Sequence, residues 1–131
     1  MGYYDLALEV TNRQGALAEV GDAFGKAGVN LEGVWAHEHE GTGHLHVLVA
    51  DRAAAEKVAT QMGWNVYRAF EVLVAPVENR PGWLGDQCRL LASAGVNVEF
   101  CYMATENRIA VSVKDLAKAR QVWETVGSAS R

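Results

Sequence analysis

The stretch Asn12-Arg13-Gln14-Gly15-Ala16-Leu17, followed by Ala27-Gly28-Val29-Asn30-Leu31-Glu32, decides the fold. It returns as Asn79-Arg80-Pro81-Gly82-Trp83-Leu84, followed by Ala94-Gly95-Val96-Asn97-Val98-Glu99, each residue 67 positions after its counterpart. Self-similarity at a fixed period marks a duplicated supersecondary unit. One amphipathic helix fits between the two ends of each copy. Leu17, Val20, Phe24 and Ala27 recur at helical spacing, as do Leu84, Cys88, Leu91 and Ala94, and both sets are expected to face a core. Gly28 and Gly95 follow the last apolar positions, where left-handed caps end helices.

Outward from the repeat, Tyr4, Leu6, Leu8 and Val10 alternate with Tyr3, Asp5, Ala7 and Glu9, the period of a half-buried strand. Asp5 and Glu9 are expected to face solvent. Val29 to Ala36 and Leu45 to Ala50 read as a hairpin through a Gly-Thr-Gly turn, and Ala53 to Met62 as a helix capped by Asp51. Trp64 to Val77 is long enough to close the first unit as its fourth strand and open the second as its first. The second unit repeats the order through the hairpin of Val96–Met103 and Arg108–Val113, then a helix from Asp115 through Val126. The polar tail after it is too short for a further strand. The predicted class is α+β: two tandem ferredoxin-like βαββαβ units, 1–69 and 70–131, the second lacking its own C-terminal strand. Val72 and Val74, with Phe100 and Tyr102 nearby, make the second unit's outer face apolar, which predicts a homodimer covering it.

A net charge of −4 offers no basic footprint for nucleic acid, and no apolar run is long enough to span a bilayer. Cys88 and Cys101 have no framework spacing and read as buried, reduced thiols of a cytoplasmic protein. Catalytic signatures such as Gly-x-Ser-x-Gly, a phosphate loop or a dinucleotide fingerprint are missing, so no enzyme is expected.

The doubled phrase Asn-Arg-x-Gly-x-Leu, helix, Ala-Gly-Val-Asn-hydrophobic-Glu resembles the ACT domain family. Over Tyr3 to Val126 the chain is similar to small proteins made of two tandem ACT domains. The resemblance implies a regulatory module that binds an amino acid at an interface between domains and signals to a partner enzyme or pathway. It implies a ligand held between the first strand–helix loop of one domain and the second strand of its neighbour. By that resemblance the binding residues are Asn12, Arg13, Gly15 and Leu17 with Asn30, and Asn79, Arg80, Gly82 and Leu84 with Asn97. Trp83, replacing Ala16, walls the second pocket or fills it. The chemistry agrees: a helix N-terminus presents unpaired N–H groups to a carboxylate, and an asparagine amide both donates and accepts. A ligand-free interaction module remains an alternative.

All four histidines fall within ten residues, as His37-Glu38-His39 and His44-Leu45-His46. If His39 faces His44, then His37 faces His46 and all four imidazoles share one sheet face, a candidate site for zinc or nickel.

Overall fold

The computed structural model describes residues 2–123. The elements are β1 (Tyr3–Thr11), α1 (Ala16–Lys26), β2 (Gly33–His39), β3 (Thr42–Val49), α2 (Arg52–Met62), β4 (Asn65–Pro76), α3 (Trp83–Ser93), β5 (Val98–Ala104), β6 (Arg108–Val113) and α4 (Leu116–Val122). The expected helical positions beyond Trp123, and the polar tail, lie outside the described residues. The chain forms two units, Tyr3–Phe70 and the segment from Glu71 onward. The strand order is β2-β3-β1-β4 in the amino-terminal unit and β4-β6-β5 in the other. β4 serves both: it is one strand without a loop, and the change of unit falls between Phe70 and Glu71.

In the amino-terminal unit, β1 pairs antiparallel with β3 from Tyr4–Val49 to Thr11–Thr42. The alternating Leu6 and Leu8 meet Val47 and Leu45 on one face, where Val20 and Phe24 of α1 and Val58 of α2 close the core. In the carboxy-terminal unit the corresponding core gathers Leu73, Trp83, Leu91, Ile109, Val111 and Trp123. A bulge between Val98 and Phe100 of β5 sets Phe100 and Tyr102 opposite Ser112 and Ala110, away from the core of Ile109 and Val111.

The helix starts differ within each unit. Asp51 Oδ1 accepts the Ala54 N–H at 3.0 Å, and Asp115 Oδ1 accepts the Lys118 N–H at 3.0 Å. α1 and α3 instead start at Gly15 and Gly82, with φ of 83° and 87°, and no side chain caps either. Asp51→Ala is therefore expected to cost about 1 kcal/mol in urea denaturation.

Four expectations are corrected. Asp5 is buried, not solvated, because His46 Nδ1 lies 2.8 Å from its Oδ2. Leu17 and Leu84 are 58% and 42% exposed, because the core face of each helix runs through Val20 and Phe24, and through Trp83 and Leu91. Val72 and Val74 are 2% exposed in the single chain, so no second copy is needed to cover them. Cys101 is exposed on β5 and Cys88 half-buried on α3. The Cys101 thiol is nonetheless pushed up, first by partial desolvation and then by Cys88.

Candidate functional site

Both repeated loops open onto a cleft, and five equivalent pairs line the two, Glu9 with Pro76 among them. A cleft of about 430 Å³ in the amino-terminal unit is lined by Val10, Thr11, Arg13 and Ala16. A cleft of about 470 Å³ in the other unit is lined by Val77, Glu78, Arg80 and Trp83. Each repeated phrase stands at a concavity at a strand–helix junction, and the contents of the two differ.

The arginines keep one arrangement. Arg13 pairs with Glu19, and Arg80 reaches Asp86, its counterpart, at 3.4 Å. In each case a guanidinium is held across the first turn of the helix, beside N–H groups that no side chain caps. Arg80 has a second carboxylate: Glu78, where the first copy has Thr11, accepts from its Nε at 2.9 Å. That hydrogen bond, followed by the one to Asp86, pushes the Arg80 guanidinium above its ordinary value.

The glycines are required by backbone conformation and not by space. At φ of 83° and 87° an L side chain is strained, and glycine takes the conformation without cost in sterics. A Cβ on Gly15 would meet only the Arg13 guanidinium at 4.0 Å, and one on Gly82 would meet nothing within 4 Å. Both loops therefore present open backbone to solvent.

Ala16 and Trp83 make the difference between the clefts. Trp83 is 6% exposed and tilts against Trp123, with ring centroids 6.0 Å apart. Trp123 donates its indole N–H to the Gln87 carbonyl at 3.0 Å, which fixes both rings. Trp83 thus both lines the second cleft and belongs to its core. In the first unit Ala16 leaves that space open, and the floor comes from elsewhere. Trp64 packs on Phe24 at 5.9 Å, and the Asn65 amide donates to Glu9 Oε1 at 2.7 Å. The sequence does not place Glu9, Glu19, Trp64 or Asn65 in a binding site. Glu9 read as a solvated strand position, and nothing in the sequence around Trp64 and Asn65 pointed to the loop after β1.

The remaining expected residues divide. Asn12 and Leu17 line a smaller cleft of about 190 Å³ with His37 and Glu38, which shares Val10 and Ala16 with the first cleft but not Arg13. The Asn12 N–H donates to the Gly41 carbonyl at 3.1 Å, which ties this loop to the β2–β3 hairpin. Asn30 and Asn97 are exposed and line neither cleft of their own units. Asn30 lies past the other end of α1, about 16 Å of helix away by its rise, and its amide donates to Glu32 at 2.9 Å. Asn79 and Leu84 are exposed around the second loop.

The hairpin register corrects the histidine arrangement. The turn is Glu40-Gly41 with φ of 49° and 82°, two left-handed residues that suit the twist of a tight hairpin. That sets His37 opposite His44, His39 opposite Thr42, and Trp35 opposite His46. The His37 and His44 rings stack at 5.1 Å, while His46 is held by Asp5. Among the described residues no group of three or more His, Cys, Asp or Glu is placed to hold a metal ion. A cation at the hairpin would meet the facing His37–His44 pair and no more.

No helix among the described residues is long and apolar enough to cross a membrane. No family model matches the sequence, and no curated protein does. Solved structures do. Protein BT0572 from Bacteroides thetaiotaomicron is 26% identical with a TM-score of 0.79, over 93% of this chain and 86% of that one. The regulatory subunit of aspartate kinase from Thermus thermophilus, in its ligand-free form, is 18% identical with a TM-score of 0.65, over 94% and 93%. Aspartate kinase from Synechocystis is 17% identical with a TM-score of 0.68, over 92% of this chain and 24% of the enzyme. The chain therefore has an ACT-type fold.

Proposed function

We propose that the chain is a non-catalytic regulatory module of two tandem ACT domains, 1–69 and 70–131, that binds an amino acid and conveys its presence to a partner enzyme or pathway. One observation carries the reading. The helix after each Asn-Arg-x-Gly loop starts without a side-chain cap and beside an arginine, at a cleft. The other two helices are capped by aspartate. A ligand carboxylate supplies the missing acceptor for the open N–H groups, with the helix dipole and the arginine adding to its attraction. Arg13 and Gly15 belong to the first site, with Asn12 and Leu17 in the smaller cleft beside it, and Asn79, Arg80, Gly82, Trp83 and Leu84 to the second. Asn30 and Asn97 reach a ligand from an adjacent domain, which fits their distance from the loops of their own units. Assembly as a homodimer belongs to this reading and is checked by sedimentation at micromolar concentration.

The test is a thermal-shift screen of the chain against the twenty amino acids. A ligand at a hundredfold its Kd is expected to stabilise by roughly 2.7 kcal/mol, and Asn30→Ala with Asn97→Ala to abolish the shift. A flat screen sinks the amino-acid reading. It favours instead a ligand-free interaction module, for which the exposed, repeat-equivalent Leu17 and Leu84 are the natural contact points.

A further inference from the structure

We infer that His37 and His44 form one half of a divalent-metal site, and that a second copy of the chain completes it with the same pair. This stands apart from the amino-acid reading. The two histidines face each other across β2 and β3, and their rings stack at 5.1 Å with planes 16° apart. Among the described residues neither ring makes a hydrogen bond or an ion pair, so the nitrogens of both are open to a ligand. Trp35 leans on His37 at 4.9 Å and Tyr67 meets His44 edge-on at 6.3 Å, which backs the pair from two sides. Glu9 stands opposite His44 on the neighbouring strand β1. The Tyr67 phenol is pushed up first by burial, then by Glu9 and Asp5, so the surroundings of the pair favour a cation.

Zinc binds imidazole nitrogen at about 2.0–2.1 Å, and a tetrahedral angle between two such bonds sets the nitrogens about 3.3 Å apart. A modest lean of the two rings toward each other closes that span from the present stacking. One chain stops at two ligands: His39 lies opposite Thr42, and His46 is held by Asp5. A structural zinc takes four. β2 is the outermost strand of the sheet, and residues 34–39 are exposed along it. A two-fold axis beside this edge brings up the same pair from a second copy, since an isologous contact matches a patch with itself, and the set becomes four imidazoles. Charge points the same way: two chains of net charge −4 repel each other, and a divalent cation between them offsets that. The carboxy-terminal unit contains no histidine, so each chain carries one half-site.

Chelator-treated chain titrated with zinc chloride near pH 7.5, where neutral imidazole is the ligating form, tests this by calorimetry and sedimentation velocity. Zinc is expected to bind at half an equivalent per chain, and every zinc-loaded particle to contain two chains or a multiple of two. His37→Ala is expected to weaken binding at least about 100-fold, the upper end of what loss of an outer-shell partner costs. His37 is exposed, so this variant keeps the fold. His39→Ala, exposed and outside the pair, is expected to bind as the unaltered chain does. One zinc per chain, zinc on a single chain, or binding that survives in His37→Ala overturns the inference. So does an equal loss in His39→Ala, which assigns the metal to the exposed histidines at large. Absence of both heat and a change in sedimentation overturns it as well. None of these results bears on amino-acid binding.

Discussion

Replacing Asp5 with alanine is expected to destabilise the protein by about 3 kcal/mol or more, measured as a fall in urea midpoint at constant slope. Asp5 is 2% exposed and His46 8%, and Oδ2 and Nδ1 lie 2.8 Å apart. Removing the carboxylate leaves a polar imidazole nitrogen buried without this acceptor, and the loss of one partner costs more than the intact pair contributes. Asp5→Asn keeps an oxygen in place and is expected to cost about 1 kcal/mol, since only the charge assistance is lost. A loss below about 0.5 kcal/mol in Asp5→Ala is the figure for a solvated surface position, and it would refute the burial of the pair.

Trp83→Ala is the second large effect, at about 3–5 kcal/mol. The indole is 6% exposed and contributes to the core with Leu91, Ile109 and Trp123. Its removal leaves a void against Trp123, whose ring is held in place by the Gln87 carbonyl and so cannot collapse into the space. The substitution also places at this position the residue of the first copy, Ala16, and so enlarges the second cleft. Calorimetric stoichiometry then reads the functional consequence beside the stability loss. The converse change, Ala16→Trp, fills the first cleft at little cost to the core, because Ala16 is only half-buried.

These two positions show what could and could not be read beforehand. The element order and the long strand β4 were legible because each depends on local signals. Glycines mark left-handed positions, alternation marks strands, and Asp51 and Asp115 mark helix starts. Asp5 was not legible, because a polar residue on alternating spacing looks solvated until its partner across β3 is placed. The register of the β2–β3 hairpin decides that partner. A turn at Glu40-Gly41 sets Trp35 opposite His46, where a turn two residues longer had set His37 there. Helix phase failed for a different reason. Leu17 and Ala16 both satisfy a helical spacing with Val20 and Phe24, and in the folded unit Leu17 is exposed while Ala16 is half-buried. The cleft was half legible. Arg13 and Gly15 came from the repeated phrase, while Asn65 reaches Glu9 from a strand 56 residues later.

β4 has a consequence for how this chain is able to diverge. Duplicated modules usually separate through a linker, which tolerates insertions and cuts without disturbing either side. Here the junction is a run of strand residues, Asn65–Pro76, whose two faces alternate with period two. An insertion or deletion of one residue at Phe70 or Glu71 would turn every later side chain of the strand to the opposite face. The carboxy-terminal stretch Val72–Ala75 would exchange its inward and outward sets at a single step. The junction is thus closed to length variation while the loops around it remain open to it. Spacing between the two copies is expected to be the most invariant interval in any set of relatives, more so than the residues of either cleft.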